Sequence, residues 1–156
     1  MGKRRSKTEL YVHVVWATWQ RQPLVVLEIQ EAVYRCIGQV TALGGKILAV
    51  GGMLDHVHLL AQVPGKVSVA QLAQQVKGVS STLVRNRLRV GELFRWQEHY
   101  AAFSVSRSHL VRVIRYINNQ ERHHSENTAW DEWEQTDEEA DEQGDTTSEI
   151  PVREDG

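Results

Sequence analysis

Between Glu9 and His124 the hydrophobic period of this chain switches repeatedly, from the two-residue alternation of strands to the three- and four-residue steps of helices. Glu9 to Trp19 is rich in Val, Trp, Tyr and Thr and ends in the polar Gln20-Arg21-Gln22-Pro23, which predicts a first strand. From Val26 to Leu43, Ile29, Ala32, Val33, Cys36, Ile37 and Val40 recur at helical steps, and Gly44-Gly45 supplies the stop. Lys46 to Gly52 and His56 to Val63 are two further strands, close enough in sequence to form a hairpin. Ser68 is a plausible N-cap for a second helix reaching Val90, with Val69, Leu72, Ala73, Val76, Val79 and Leu83 on one face. Phe94-Arg95-Trp96 and Ala102 to Val105 are short strand candidates, and a third helix begins near Ser106 or Ser108 and runs to about His124. The order βαββαβα predicts an α+β fold, an antiparallel ferredoxin-like or RRM-like sheet with helices mainly on one face.

Charge divides the chain more sharply than hydropathy does. Residues 1–125 hold 17 Lys and Arg against 7 Asp and Glu, a net +10, whereas residues 126–156 hold 1 against 13, a net −12. The composition after Ser125 offers almost no apolar surface beyond Trp133 to offset the entropy of ordering, so it reads as an acidic, disordered tail behind a single domain. A body this basic suits a polyanion such as nucleic acid, although a solvated basic surface is an equal reading of charge alone. On the second helix Lys77, Arg85, Arg87 and Arg89 make the face opposite the apolar one basic. No apolar run has the length that crosses a bilayer, and the basic start is not followed by a signal-type block, so a cytoplasmic protein is expected. Cys36 is the sole cysteine, which leaves His, carboxylate or amide oxygen to hold any metal.

Two short segments carry possible chemistry. In Asp55-His56-Val57-His58 the histidines sit two apart at the start of a strand, so both imidazoles share one face while Val57 points to the other. Two histidines at that spacing are half of a divalent-metal site, and they also occur often by accident. In Arg115-Tyr116-Ile117-Asn118-Asn119-Gln120, Tyr116 and Gln120 are four apart on one helical face, expected to be polar, with Ile114 and Ile117 elsewhere. A phenol is a poor nucleophile at its usual pKa near 10, but nearby positive charge favours the phenolate, and an amide oxygen one turn on suits Mg or Mn. Read singly, an amphipathic tyrosine on a packed helix is the plainer account. His123 and His124 are adjacent and splay by about 100° on a helix, a poor chelate. His13, His99 and His109 lack a partner at ligand spacing and read as structural or surface residues. Tyr100 is a weaker nucleophile candidate in a polar loop, and Trp96 could stack on an unpaired base or belong to the core.

Taken in order, Tyr11-Val12-His13-Val14-Val15-Trp16-Ala17-Thr18, Asp55-His56-Val57-His58-Leu59-Leu60, Lys77-Gly78-Val79-Ser80-Ser81, Phe103-Ser104-Val105-Ser106 and Tyr116-Ile117-Asn118-Asn119-Gln120 resemble the single-tyrosine HUH transposases of the insertion-sequence-200 type, whose relatives include transposases associated with repetitive palindromic elements. The resemblance covers residues 8–125 within a catalytic domain of residues 1–125, and departs from many relatives at Leu54, where they carry proline. It implies a transposase that cleaves and rejoins single-stranded DNA through a 5′-phosphotyrosine link. Carried over by residue, Tyr116 is the nucleophile and His56, His58 and Gln120 hold Mg or Mn. Lys77, Ser81, Arg85 and Arg21 are the candidate nucleic-acid contacts. The resemblance also implies hairpin DNA as ligand and a homodimer in which one subunit's tyrosine helix completes the other's histidine pair, with neither a membrane nor a small-molecule cofactor expected. A hairpin-binding module that does not cut, a domesticated enzyme acting on host repeats, and a water-using phosphoesterase are the competing functions.

Overall fold

The computed structural model describes residues 6–40, 44–89 and 92–120. The acidic tail, the end of the second helix at Val90, and the stretch to His124 with His123 and His124 lie outside them. Four strands, β1 (Leu10–Ala17), β2 (Lys46–Gly52), β3 (His56–Val63) and β4 (Ala101–Val105), form one antiparallel sheet in the order β2-β3-β1-β4. Three helices join or follow them: α1 (Leu27–Gly38), α2 (Val69–Leu83) and α3 (Leu110–Asn118). The fold is α+β, as expected.

The pleat of the two central strands sorts their side chains into two layers. Val12, Val14 and Trp16 of β1 and Val57, Leu59, Ala61 and Val63 of β3 pack with Ile29, Val33 and Ile37 of α1 and Leu72 and Val76 of α2. The opposite face of the sheet presents Leu60 and Ala49 to Val113 and Ile117 of α3. Two helices thus share one face and the third covers the other. In β2 the pairing with β3 shifts between Ile47 and Ala49, and this bulge turns Leu48 and Ala49 together toward α3.

The α2 start follows from its capping box: the Ser68 hydroxyl accepts from the Gln71 amide at 3.1 Å while the Gln71 side chain accepts from the Ser68 amide at 2.9 Å. Its end is a π-helical turn, Val84–Leu88. Phe94-Arg95-Trp96 does not form the expected strand; Trp96 makes one bridge to Thr18. The reason lies in Gln97, whose side-chain oxygen accepts from the Ala17 amide at 2.6 Å and whose own amide donates to the Ala17 carbonyl at 2.9 Å, closing the end of β1 where a ladder would otherwise continue. Trp96 itself is buried and donates its indole N–H to Ser80 at 3.0 Å, so it belongs to the core and offers no stacking surface for a base.

Candidate active site

β3 begins with His56 and His58, and the register sets Ala17 opposite His56 and Val15 opposite His58. Both imidazoles point to the face that α3 covers, and both are buried. From α3, Val113, Tyr116, Ile117 and, just past its end, Gln120 all turn inward and are buried. This corrects one expectation: the face carrying Tyr116 and Gln120 is the buried face shared with Ile117, because the sheet beneath supplies its own row of polar side chains. Gly51 lets α3 come that close. It lies beside His58 in the β2–β3 register, and a Cβ there would overlap the Ile117 carbonyl.

The outcome is a cluster within one chain. The Tyr116 ring meets His58 edge-on with centroids 5.7 Å apart, and His56 and His58 meet edge-on at 5.2 Å. His56 Nε2 lies 3.3 Å from Gln120 Oε1, and the Gln120 amide donates back to the Tyr116 carbonyl at 3.3 Å, so the helix orients its own amide. On its other side His56 Nδ1 is 2.7 Å from the Asp55 carboxylate. That hydrogen bond is the main cause holding the Asp55 carboxyl below its ordinary value, against the opposing effect of burial, and the charges of His56 and Arg21 act in the same direction as the bond. A carboxylate only accepts, so Nδ1 of His56 carries a hydrogen, and Nε2 is the nitrogen that faces the Gln120 oxygen.

Arg21 reaches this neighbourhood from an unusual turn. Gln20 and Arg21 both have left-handed backbones, φ 52° and 51°, a conformation that costs non-glycine residues roughly 1 kcal/mol or more each. Thr18 holds the turn to the start of β3: its amide donates to the Asp55 carbonyl at 2.8 Å and its hydroxyl lies 3.2 Å from the same oxygen.

The donor set, two imidazoles and an amide oxygen, is of a kind that can hold a divalent cation. The 3.3 Å between His56 Nε2 and Gln120 Oε1 approaches the roughly 3 Å separating neighbouring ligands on an ion with bonds of about 2.1 Å. Among the described residues no group of three or more His, Cys, Asp or Glu side chains gathers to hold a metal, so an ion here depends on the Gln120 amide as a third donor.

The expected nucleic-acid contacts lie apart from this cluster, save Arg21. The Lys77 ammonium donates to the carbonyls of Glu98 and His99 at 3.2 and 3.3 Å, the Ser81 hydroxyl donates back to Gly78 at 3.2 Å, and Arg85 stands exposed on the π-helical turn. Tyr100 packs on the α1–α2 side of the sheet, away from the imidazoles. His13 was passed over by sequence spacing. It is fully buried on β1, with its Nε2 2.8 Å from His58 Nδ1. The only signal in the sequence was its place on the outward phase of a strand, and which histidine it meets depends on a register that a sequence does not print. Two clefts flank the row of imidazoles: one of about 460 Å³ reaches Gly51, Leu54, Ile117 and Gln120, and one of about 430 Å³ reaches His13, Phe103, Ser106 and Arg112.

The family described as "Transposase IS200 like" matches residues 6–120. Among solved structures, a candidate transposase of Deinococcus radiodurans R1 is similar over 77% of this chain and 98% of its own, at 24% identity and a TM-score of 0.61. A REP-associated tyrosine transposase bound to a REP hairpin is similar over 83% of this chain and 76% of its own, at 13% identity and a TM-score of 0.57. No curated protein matches the sequence.

Proposed function

The chain belongs to the IS200-like transposases, and from that membership we propose that it cleaves and rejoins single-stranded DNA with Tyr116 as the nucleophile. The observation that carries this reading is the convergence of Tyr116 and Gln120 from α3 on His56 and His58 from β3. Once neighbouring groups give way, Tyr116 loses its phenolic proton to a water that enters with the DNA, and the phenolate oxygen forms a bond to phosphorus as the bond from phosphorus to the 3′ oxygen breaks. The strand's 5′ phosphate is then esterified to Tyr116, and the departing 3′ oxygen takes up a proton. Rejoining is the reverse, with a 3′-OH attacking and the phenol leaving. Held by His56, His58 and Gln120, Mg or Mn would withdraw charge from the phosphate oxygens. Asp55 fixes the tautomer of His56, Gln120 is steadied by its own helix, and Arg21 adds positive charge on the Asp55 side. Positioning and charge are most of what phosphoryl transfer requires, which makes so small a set sufficient.

Hairpin DNA is the proposed ligand, by analogy with the hairpin-bound relative. Arg85, Lys77, Ser81 and Arg21 are the proposed backbone contacts, a homodimer the proposed assembly, residues 1–125 the proposed catalytic domain, and the cytoplasm the place of work. One observation favours a second reading, a hairpin-binding module that does not cut: Tyr116 is only 4% exposed, so a phosphate reaches its oxygen only after neighbouring groups give way.

Incubation with single-stranded hairpin DNA and Mg or Mn is expected to give a protein–DNA adduct that survives denaturation, with Tyr116→Phe abolishing the adduct while hairpin affinity stays within about threefold. Persistent binding with no adduct under either metal would decide for the second reading, and cleaved DNA without an adduct would make water the nucleophile.

A further inference from the structure

His13 is the one fully buried histidine of the cluster that the proposed chemistry leaves without a task. Its Nε2 faces His58 Nδ1 at 2.8 Å, a full hydrogen bond, and the rings stack at 5.1 Å with 29° between their planes. Two neutral imidazoles can share such a bond only if one nitrogen of the two carries the hydrogen. His58 can direct a lone pair at a cation only through Nε2, since Nδ1 is spent on His13. Its hydrogen must then sit on Nδ1, and His13 must accept it. His56 is arranged in the same way, with Nδ1 donating to Asp55 and Nε2 turned to the Gln120 oxygen. The two ligands thus show one pattern built from different partners: an acidic neighbour in sequence for His56, and a neutral imidazole from the adjacent strand for His58.

We propose that His13 is the positioning residue of His58, accepting a hydrogen bond from His58 Nδ1 and so fixing the tautomer and ring orientation that present Nε2 as a metal ligand. The inference rests on the metal-dependent reading of the preceding section. The diagonal β1–β3 placement makes it possible: His13 pairs with Leu60, two residues along the same face from His58. Phe103, paired with His13 in the β1–β4 register, flanks the His13 ring with centroids 5.9 Å apart, which limits the ring's swing.

The test measures Mn²⁺ binding to the full chain in the absence of DNA, by titration calorimetry or electron paramagnetic resonance, together with the tautomer of His58 from long-range ¹H–¹⁵N correlations near pH 8, where imidazoles are neutral. His58 is expected as the Nδ1–H form in the wild type. His13→Leu is expected to weaken Mn²⁺ by roughly ten- to a hundredfold, and His13→Gln, whose amide oxygen can accept the same hydrogen, to restore it to within about threefold. A wild-type His58 protonated on Nε2 would overturn the proposal whether or not a variant folds. So would a folded His13→Leu that binds as the wild type does, or a His13→Gln no better than His13→Leu. The controls separate the two levels: if His56→Ala and His58→Ala leave Mn²⁺ binding unchanged, the metal reading itself has failed, whereas their loss of binding beside a normal His13→Leu removes the role of His13 alone.

Discussion

At the scale of the residue, Asp55 shows how a single side chain can be tied to both stability and chemistry. Its carboxyl is held below its ordinary value of 3.8, chiefly by the hydrogen bond from His56. A group lowered in this way stabilises the folded state above its ordinary value, and that contribution disappears as pH falls through the lowered one. Asp55→Asn should therefore flatten the acid limb of a stability–pH profile followed by denaturant unfolding, while weakening Mn²⁺ binding by about ten- to a hundredfold. A profile and an affinity unchanged from wild type would mean that the short contact contributes to neither. Tyr34 presents the opposite case. Its hydroxyl is buried with no hydrogen-bond partner among the described residues, and burial pushes its pKa far up. Because that hydroxyl makes no hydrogen bond to a described residue, Tyr34→Phe is expected to leave stability unchanged or raise it by up to about 1 kcal/mol in urea titrations. A loss larger than that would reveal a partner for the hydroxyl.

At the scale of the element, the boundaries that sequence could read are the ones made by local chemistry. The Ser68–Gln71 box is such a signal, and Ser68→Ala should cost about 1 kcal/mol in thermal unfolding. β2 and β3 likewise fall where alternation places them, at Lys46–Gly52 and His56–Val63. The errors arose where tertiary contact decides. Phe94-Arg95-Trp96 has strand composition, yet the Gln97 side chain occupies the ladder position it needed. The tyrosine helix has the expected spacing, but its Tyr116 face proved to be the buried one, since nothing in its own residues tells that His56 and His58 wait beneath it. Gly51 carries the same lesson: as sequence it is an ordinary glycine in a strand, and only the Ile117 carbonyl above it explains the need. Gly51→Ala is expected to push α3 off the sheet, costing about 1–3 kcal/mol in stability and lowering adduct yield more than hairpin binding. Equal losses in the two assays would argue for general unfolding.

At the scale of the whole molecule, residues 6–120 match one family and make one sheet with both faces covered, and the candidate chemistry lies under the smaller of the two apolar layers. The basic balance of residues 1–125 belongs to this scale too, since the positive side chains are spread along the chain, with Arg35 on α1, Lys77 on α2, Arg85 and Arg87 on the π-helical turn and Arg115 on α3, rather than gathered in the cluster. If they meet DNA phosphates, hairpin affinity should fall steeply as salt rises from about 50 to 200 mM, with a log–log slope that Arg85→Ala reduces by about one. An affinity flat in salt would detach the charge from the ligand.

The alternation in β1 has a last consequence. His13 and Val14 look in opposite directions, as do Val57 and His58, so a chain threaded one residue out of step would send imidazoles among Ile29 and Val33 and bring Val14 and Trp16 beneath Tyr116. Such a misalignment could not persist as a folded but idle protein, because the interior would reject it first. Assembly of the reactive groups is thereby proofread by the same pleat that keeps the molecule's oily side dry.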